Sequence, residues 1–302
     1  MYAIESYIML LASIALITAQ TLAFKFFNRY FMKNMAVYFF FQILHFAIAA
    51  LIVFSVNGGM GEARWETITF AVVFACFFVV FFFCYAKAFE HGSLSLSTLF
   101  NSFAVLVPVF VSFIFWEEHL RVIQYIGLAL LLIVFVLSSR TSTGEAGMEK
   151  TSISVKWVLF IVPVVIINGL MMTIQKWHQQ IMPGEEIKEF LICVFSFSCV
   201  ICVAGFFISR LTLKRGGTPV PPVKPDKRFI GLTVLAGTST SVGNILIVSL
   251  TTRIPSVLLF PGLQGGVVIL VSVISMLLLK ERISGIGKLA LVLGVVAIVL
   301  LS

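Results

Sequence analysis

The sequence predicts an all-α integral membrane protein, with ten transmembrane helices arranged as two inverted five-helix repeats. Three observations carry that reading: a composition too apolar for water, ten apolar segments of spanning length, and an acidic mark that recurs about half a chain apart. Hydrophobic residues fill 60% of the 302 positions and charged residues only 11%, with a mean hydropathy of +1.10. A soluble domain keeps about a quarter of its residues charged. Too little polar sequence remains to cover a globule, so lipid is the expected solvent.

A helix crosses the hydrocarbon core with about twenty apolar residues. Ten segments meet that length, at about 5–27, 34–56, 66–88, 93–115, 119–138, 155–177, 187–208, 229–252, 255–279 and 284–301. The connections are short except at 139–154 and 209–228, and the second of these is a loop by its content. It holds Arg210, Lys214, Arg215, Gly216, Gly217 and a Pro-rich run from Pro219 to Pro225. Trp65, Trp116, Trp157 and Trp177 each fall within a few residues of a predicted helix end, where an amphipathic indole meets headgroups. No Lys or Arg precedes Lys25, so the first segment lacks the basic n-region of a signal peptide and reads as a retained helix.

The acidic mark is Phe115-Trp116-Glu117-Glu118-His119-Leu120 in the first half and Leu279-Lys280-Glu281-Arg282-Ile283-Ser284 in the second. Each follows a long apolar segment and opens another. A cut in the 139–154 loop leaves 1–145 and 146–302, with five segments apiece. A unit with an odd number of spans, followed by its copy, must sit upside down relative to the first. Inverted repeats of this kind place a substrate site near the midplane where the halves meet. Setting Glu118 against Glu281 pairs Asn101 with Gln264 and Ser93 with Ser256. Setting Lys25 against Lys176 pairs Phe24-Lys25-Phe26 with Gln175-Lys176-Trp177.

The net charge of +8 is not a nucleic-acid signature, because the basic residues sit in short loops between apolar segments, where they face headgroups and set topology. Alternating loops divide the 21 Lys and Arg into five on the side of both chain ends and sixteen on the other. By the positive-inside rule the sixteen are cytoplasmic. The five cysteines lie inside apolar stretches and are expected to be unpaired; Cys199 and Cys202 form a CxxC without a βαβ context.

Polar side chains inside a bilayer are costly and are expected to face the bundle interior or a wet cavity. Helix four carries Ser97 and Asn101, helix eight Asn244, helix nine Gln264, helix six Asn168, helix one Gln20 and helix two His45. Tyr85, near the end of helix three, completes the candidate cavity lining. Hydroxyls at these depths also serve close helix packing. Amides are harder to satisfy with one neighbour, since each carries two donors and an acceptor. His45 reads either as a proton- or substrate-binding imidazole or as a neutral ring bonded to a neighbouring helix. Lys25 and Lys176 end their helices and are expected to snorkel to headgroups. Every acid lies at a helix end or in a loop, so no carboxylate reaches the midplane where a proton or sodium relay would want one.

Ten helices in two halves, each with an acid between its fourth and fifth helices, resemble the drug/metabolite transporter superfamily, EamA type. Gly127, nine residues after Glu118, and Pro108 in helix four fit that pattern. The second half departs, with Ala290 at the glycine position and its proline earlier, at Pro261. The first helix is similar to that of the small multidrug-resistance proteins, whose mid-helix glutamate is replaced here by Ile17, and by Asn168 in the second repeat. The resemblance implies a transporter fold, structural or gating roles for Glu118, Glu281, Pro108 and Pro261, and chain ends in the cytoplasm, opposite to the charge count.

The expected function is a facilitator or exchanger moving a small organic metabolite by alternating access, in the cytoplasmic (inner) membrane, as a monomer or weak homodimer without cofactor or metal. Alternatives are a proton-coupled drug or metabolite exporter and a membrane protein that transports nothing. An enzyme is not expected, because HExxH, GxSxG, P-loop and paired-aspartate signatures are missing.

Overall fold

The computed structural model describes residues 4–91, 97, 100–116, 122–142, 155–215 and 225–278, with isolated positions between 289 and 300. Its long helices are α1 (Ile4–Tyr30), α2 (Met35–Asn57), α3 (Trp65–His91), α4 (Leu106–Phe115), α5 (Val122–Ser142), α6 (Val155–Ile181), α7 (Ile187–Arg215), α8 (Lys227–Leu250) and α9 (Ser256–Leu278). Among the described residues there is no strand. Six of these helices, α1, α2, α3, α6, α7 and α8, are long and apolar enough to cross a membrane, and 100–115, 125–134 and 256–271 are shorter apolar runs. The nine helices follow nine of the ten predicted segments in order; the tenth segment, apart from isolated helical positions, and the acidic marks from Glu117 and from Leu279 onward, with Glu118 and Glu281, lie outside the described residues.

Four predicted segments, α1, α3, α6 and α7, are longer than expected. α6 continues past the expected end at 177 to Ile181, and α7 runs to Arg215. At 1.5 Å per residue the 29 residues of α7 reach about 43 Å, well beyond a core of about 30 Å. The fourth segment, by contrast, is broken. A 3₁₀ turn at Phe103–Val105 precedes α4, and Pro108 explains it: proline has no N–H to give the carbonyl four residues back, at Ala104, and its ring crowds that carbonyl. Gly169 of α6 packs onto this break. A Cβ there would lie 2.7 Å from the Ala104 carbonyl oxygen and 2.5 Å from Val107, so only a glycine lets α6 come so close.

Two helix starts are capped by the residue the rules prefer. The Asn34 side chain accepts from the Val37 N–H at 3.0 Å, and Asp226 from the Phe229 N–H at 2.7 Å. α1 packs on α8 and α9, α2 on α7 and α8, α3 on α6 and α7, and α9 on α4. The larger apolar core, among α1, α2, α3, α6, α7 and α8, is built on phenylalanine: Phe27 stacks on Phe41 at 3.9 Å, Phe24 on Phe82 at 4.7 Å, and Phe229 meets Phe27, Phe31 and Phe41. Apolar burial alone gives little drive between helices in lipid, so such ring contacts and interhelical hydrogen bonds hold the bundle. The second core joins α9 to α4 and to Ile14 of α1.

Candidate functional site

The polar side chains at mid-span are joined rather than scattered. His45 is the eleventh residue of α2, about 15 Å along its axis and so near the midplane. The Gln20 amide donates to the Thr240 hydroxyl at 2.6 Å, and that hydroxyl lies 2.7 Å from His45 Nε2. The hydroxyl can donate to a bare Nε2, with the ring proton on Nδ1, or accept from an Nε2–H, with Nδ1 bare, according to the tautomer. That Nδ1 is buried without a partner, as are the Gln42 side-chain oxygen and the Thr18 hydroxyl. Rings of Phe24, Phe41, Phe46 and Phe82 surround the imidazole at 4.6 to 6.2 Å. Gly237 makes this meeting of α2 and α8 possible, because a Cβ there would crowd Ile48 at 2.7 Å and the His45 carbonyl at 3.1 Å.

One turn along α8, Asn244 donates to the Thr240 carbonyl at 2.8 Å and accepts from the Gln175 amide of α6 at 2.9 Å. The next residue, Lys176, is buried. Its ammonium donates to the Thr251 carbonyl at 2.7 Å and lies 5.9 Å from the Trp116 ring centre. This corrects the snorkelling expectation: α6 runs one turn further than expected, so Lys176 ends up inside the bundle. Trp157, the third residue of α6, stays near its helix end but packs inside the bundle. It is buried, and its indole N–H donates to the Ser97 hydroxyl at 2.9 Å.

The last turn of α6 carries the cluster onward. Gln179 donates to His178 Nδ1 at 2.9 Å, so the proton on Nε2 goes to the Thr67 hydroxyl of α3 at 3.0 Å. Thr67 in turn donates to Met182 Sδ at 3.2 Å, beside Glu186 of the α6–α7 loop. Glu186 has a left-handed backbone, φ +50, which is uncommon outside glycine. Its carboxylate accepts from the Arg64 backbone N–H at 2.9 Å and lies 3.3 Å from the guanidinium, while Glu185 pairs with the same guanidinium at 3.1 Å. Partial burial pushes the Glu186 pKa up, but the nearby Thr67 hydroxyl, the Arg64 backbone N–H and the Arg64 charge outweigh it and hold it below the usual glutamate value of 4.5. On the same face Asn57 donates to Glu189 at 2.7 Å and Arg253 pairs with Glu5 at 3.0 Å.

Of the sequence candidates, Asn168 donates to Asn101 at 2.8 Å, and both are half-buried. Gln264, the expected counterpart of Asn101, is half-buried on α9, and the Asn101 oxygen is taken by Asn168 instead. Gln20, His45 and Asn244 belong to the Thr240 cluster. Tyr85 stacks on Phe81 at 5.4 Å. Pro108 and Pro261 are both within helices. Thr240 was within the polar run of helix eight, read as close packing as readily as lining; Gln175, His178 and Thr67 were missed, and the run of polar residues at the end of helix six was the signal, hidden by its position at an expected interface. All five cysteines are free, and no group of three His, Cys, Asp or Glu among the described residues could hold a metal ion.

Fold and site together define a multi-pass all-α membrane protein with a hydrogen-bonded polar interior. No protein-family profile matches the chain, and no curated protein does. Solved structures do, in 28 chains. One, described only as "Crystal structure of protein", aligns over 98% of this chain and 96% of its own with a TM-score of 0.71 at 16% identity. That likeness establishes a shared fold.

Proposed function

We propose that the chain is a secondary transporter, a facilitator or exchanger that moves a small organic metabolite across the membrane by alternating access. The observation that carries this reading is how the helices pair. Exchange α1 with α6, α2 with α7, α3 with α8 and α4 with α9. The α1–α8 contact becomes α6–α3, α2–α8 becomes α7–α3, α1–α9 becomes α6–α4, and α2–α7 maps onto itself. All of these contacts are made. Such exchange supports two five-helix repeats, 1–145 and 146–302, related by a pseudo-two-fold axis in the membrane plane, as in the EamA-type transporters the sequence resembles. The pairing of Phe24 with Gln175 supports it too. Phe24 of α1 meets Phe82 of α3, and Gln175 of α6 meets Asn244 of α8.

In this reading the half-buried Asn101–Asn168 pair, with Gln20 and Gln264, faces the solute, and the membrane is the cytoplasmic one. A thermal-shift screen of the purified protein against a metabolite panel tests the proposal. A ligand at 100 times its dissociation constant adds about 2.7 kcal/mol to the folded state. A selective hit that Asn101→Ala or Asn168→Ala abolishes, with the unliganded melting temperature kept, is the expected result. A hit that neither substitution touches would remove these amides from the site, and a panel without hits, followed by no flux in vesicles, would sink the reading.

A further inference from the structure

The exchange of helices extends to single side chains. The stack of Phe27 on Phe41 at 3.9 Å becomes the stack of His178 on Phe190 at 4.5 Å. Phe229, which meets Phe27 and Phe31, becomes Thr67, which meets His178 and Met182. In the same register Phe46 and Phe195 exchange with each other; they meet at 6.5 Å, where α2 packs extensively on α7. The exchange divides the helices into α1, α2, α8 and α9 in one set and α6, α7, α3 and α4 in the other, each packed within itself. Two inner contacts cross between the sets. Phe24 of α1 stacks on Phe82 of α3 at 4.7 Å, and Gln175 of α6 donates to Asn244 of α8 at 2.9 Å. Phe24 precedes Phe27 by three residues, as Gln175 precedes His178; Phe82 follows Thr67 by fifteen, as Asn244 follows Phe229. The two crossing contacts are therefore counterparts. Phe24 and Gln175 each lie seven residues beyond the middle of a 27-residue helix, about 10 Å from it. Phe24 lies toward the face of the α1–α2 loop, which holds Lys33, and Gln175 toward the face of Arg64. Asn168, the middle residue of α6, sits between these levels with its partner Asn101.

We propose that these counterpart contacts are the two gates of the solute path, Phe24–Phe82 toward the Lys33 face and Gln175–Asn244 toward the Arg64 face, with the α2–α7 seam as pivot. The inference rests on the transporter reading and adds to it the gating residues and a bias between the two openings. Both contacts are made, so the arrangement is the occluded one. The Arg64 ion pairs and the His178–Thr67 contact lie within the second set and move with it. The gates differ in what opening exposes. Parting Gln175 from Asn244 trades one amide hydrogen bond for bonds to entering water, a near-even exchange. Lys176 adds a second bond of that kind, to the Thr251 carbonyl at 2.7 Å, and water solvates the ammonium it frees. Parting Phe24 from Phe82 wets two ring faces, and no hydrogen bond compensates. The Arg64-side gate is the easier to open.

The test is thiol accessibility from each face of the full chain in lipid vesicles, with Asn168→Cys or Gln264→Cys as reporter and an impermeant methanethiosulfonate. Labelling is read site by site by mass spectrometry, with the native cysteines kept. Thr252→Cys and Lys33→Cys, at exposed positions, identify the two faces. Both reporters should label faster from the Arg64 face than from the Lys33 face. Gln175→Ala should raise the Arg64-face rate about fivefold and leave the Lys33-face rate unraised, and Phe24→Ala should do the reverse, as a shifted two-state equilibrium requires. Asn244→Ala and Phe82→Ala, the opposite partners, should repeat these effects and guard against one variant misfolding. Phe195→Ala removes a buried ring at the pivot and should raise neither rate. Gate variants that all act on one face, or on both, would overturn the assignment, as would reporters silent in every variant beside reactive Thr252→Cys and Lys33→Cys. Equal rates from the two faces before any gate is altered would overturn the bias. No substrate enters the readout. Gates that respond separately in a protein that moves no metabolite would stand while the transporter reading falls, and metabolite flux beside unresponsive gates would do the opposite.

Discussion

Thr240 ties three helices together with one hydroxyl. It takes the Gln20 amide of α1 and faces His45 of α2, all from α8. Thr240→Val keeps the shape and strands both partners in a buried site, which costs about 1–3 kcal/mol. Thermal unfolding should therefore fall for valine and stay near wild type for Thr240→Ser. Glu186 makes a second prediction at this scale. Its folded pKa lies below its ordinary value of 4.5, so its contribution to stability is present above that value and is lost as pH falls through the folded one. Unfolding followed between pH 7 and 3 should show an acid loss below about pH 4.5 that Glu186→Gln flattens. An unchanged acid limb in the variant would remove Glu186 from the balance. Asn101, Gln20, His45 and Asn244 could be picked from the sequence because a mid-span amide or imidazole needs a polar partner; which partner could not, since hydrophobic segments do not say which faces meet.

At the scale of the element, α6 carries most of what is new. Its first half is apolar; its last turns hold Thr173, Gln175, Lys176, His178 and Gln179, all buried. Hydropathy ends such a helix early, because a polar turn at the end of an apolar run resembles an interface. Only the packing of α3 and α8 against that turn makes it interior. Gly169 sets how near α6 comes to the broken fourth helix. Gly169→Val should cost about 1–3 kcal/mol, since overpacking of a tight contact must move a backbone or the Val107 side chain, and a lowered melting temperature would register it. A neutral substitution would mean that the 3₁₀ turn yields freely.

At the scale of the molecule, the loops sort by face. Arg64, Glu185, Glu186 and Glu189 share one face through their contacts, and the Arg253–Glu5 pair brings the start of α1 to the α8–α9 turn. An impermeant thiol reagent applied to intact cells should thus treat Met60→Cys and Thr252→Cys alike and Lys33→Cys oppositely. Sixteen of the 21 Lys and Arg lie on the Lys33 side, so the positive-inside rule places Lys33 in the cytoplasm and the other two outside. Met60→Cys and Thr252→Cys reacting from opposite sides would break the topology itself; both reacting only in opened cells would reverse the orientation and favour the family's pattern.

The sequence by itself determined that this chain lives in lipid, where its helices begin to within a few residues, and that its interior must hold polar groups. Those are properties of single segments: length, hydropathy, and the cost of an amide in hydrocarbon. The tertiary structure decided that α6 meets α8, that Thr240 sits where three helices converge, and that Lys176 and Trp157 are packed inside the bundle. The reason is that each such contact depends on helix rotation and close approach, set at Gly169, Gly237 and Pro108 by a few atoms, and a pattern of apolar residues around an all-apolar helix carries almost no signal of which way it turns.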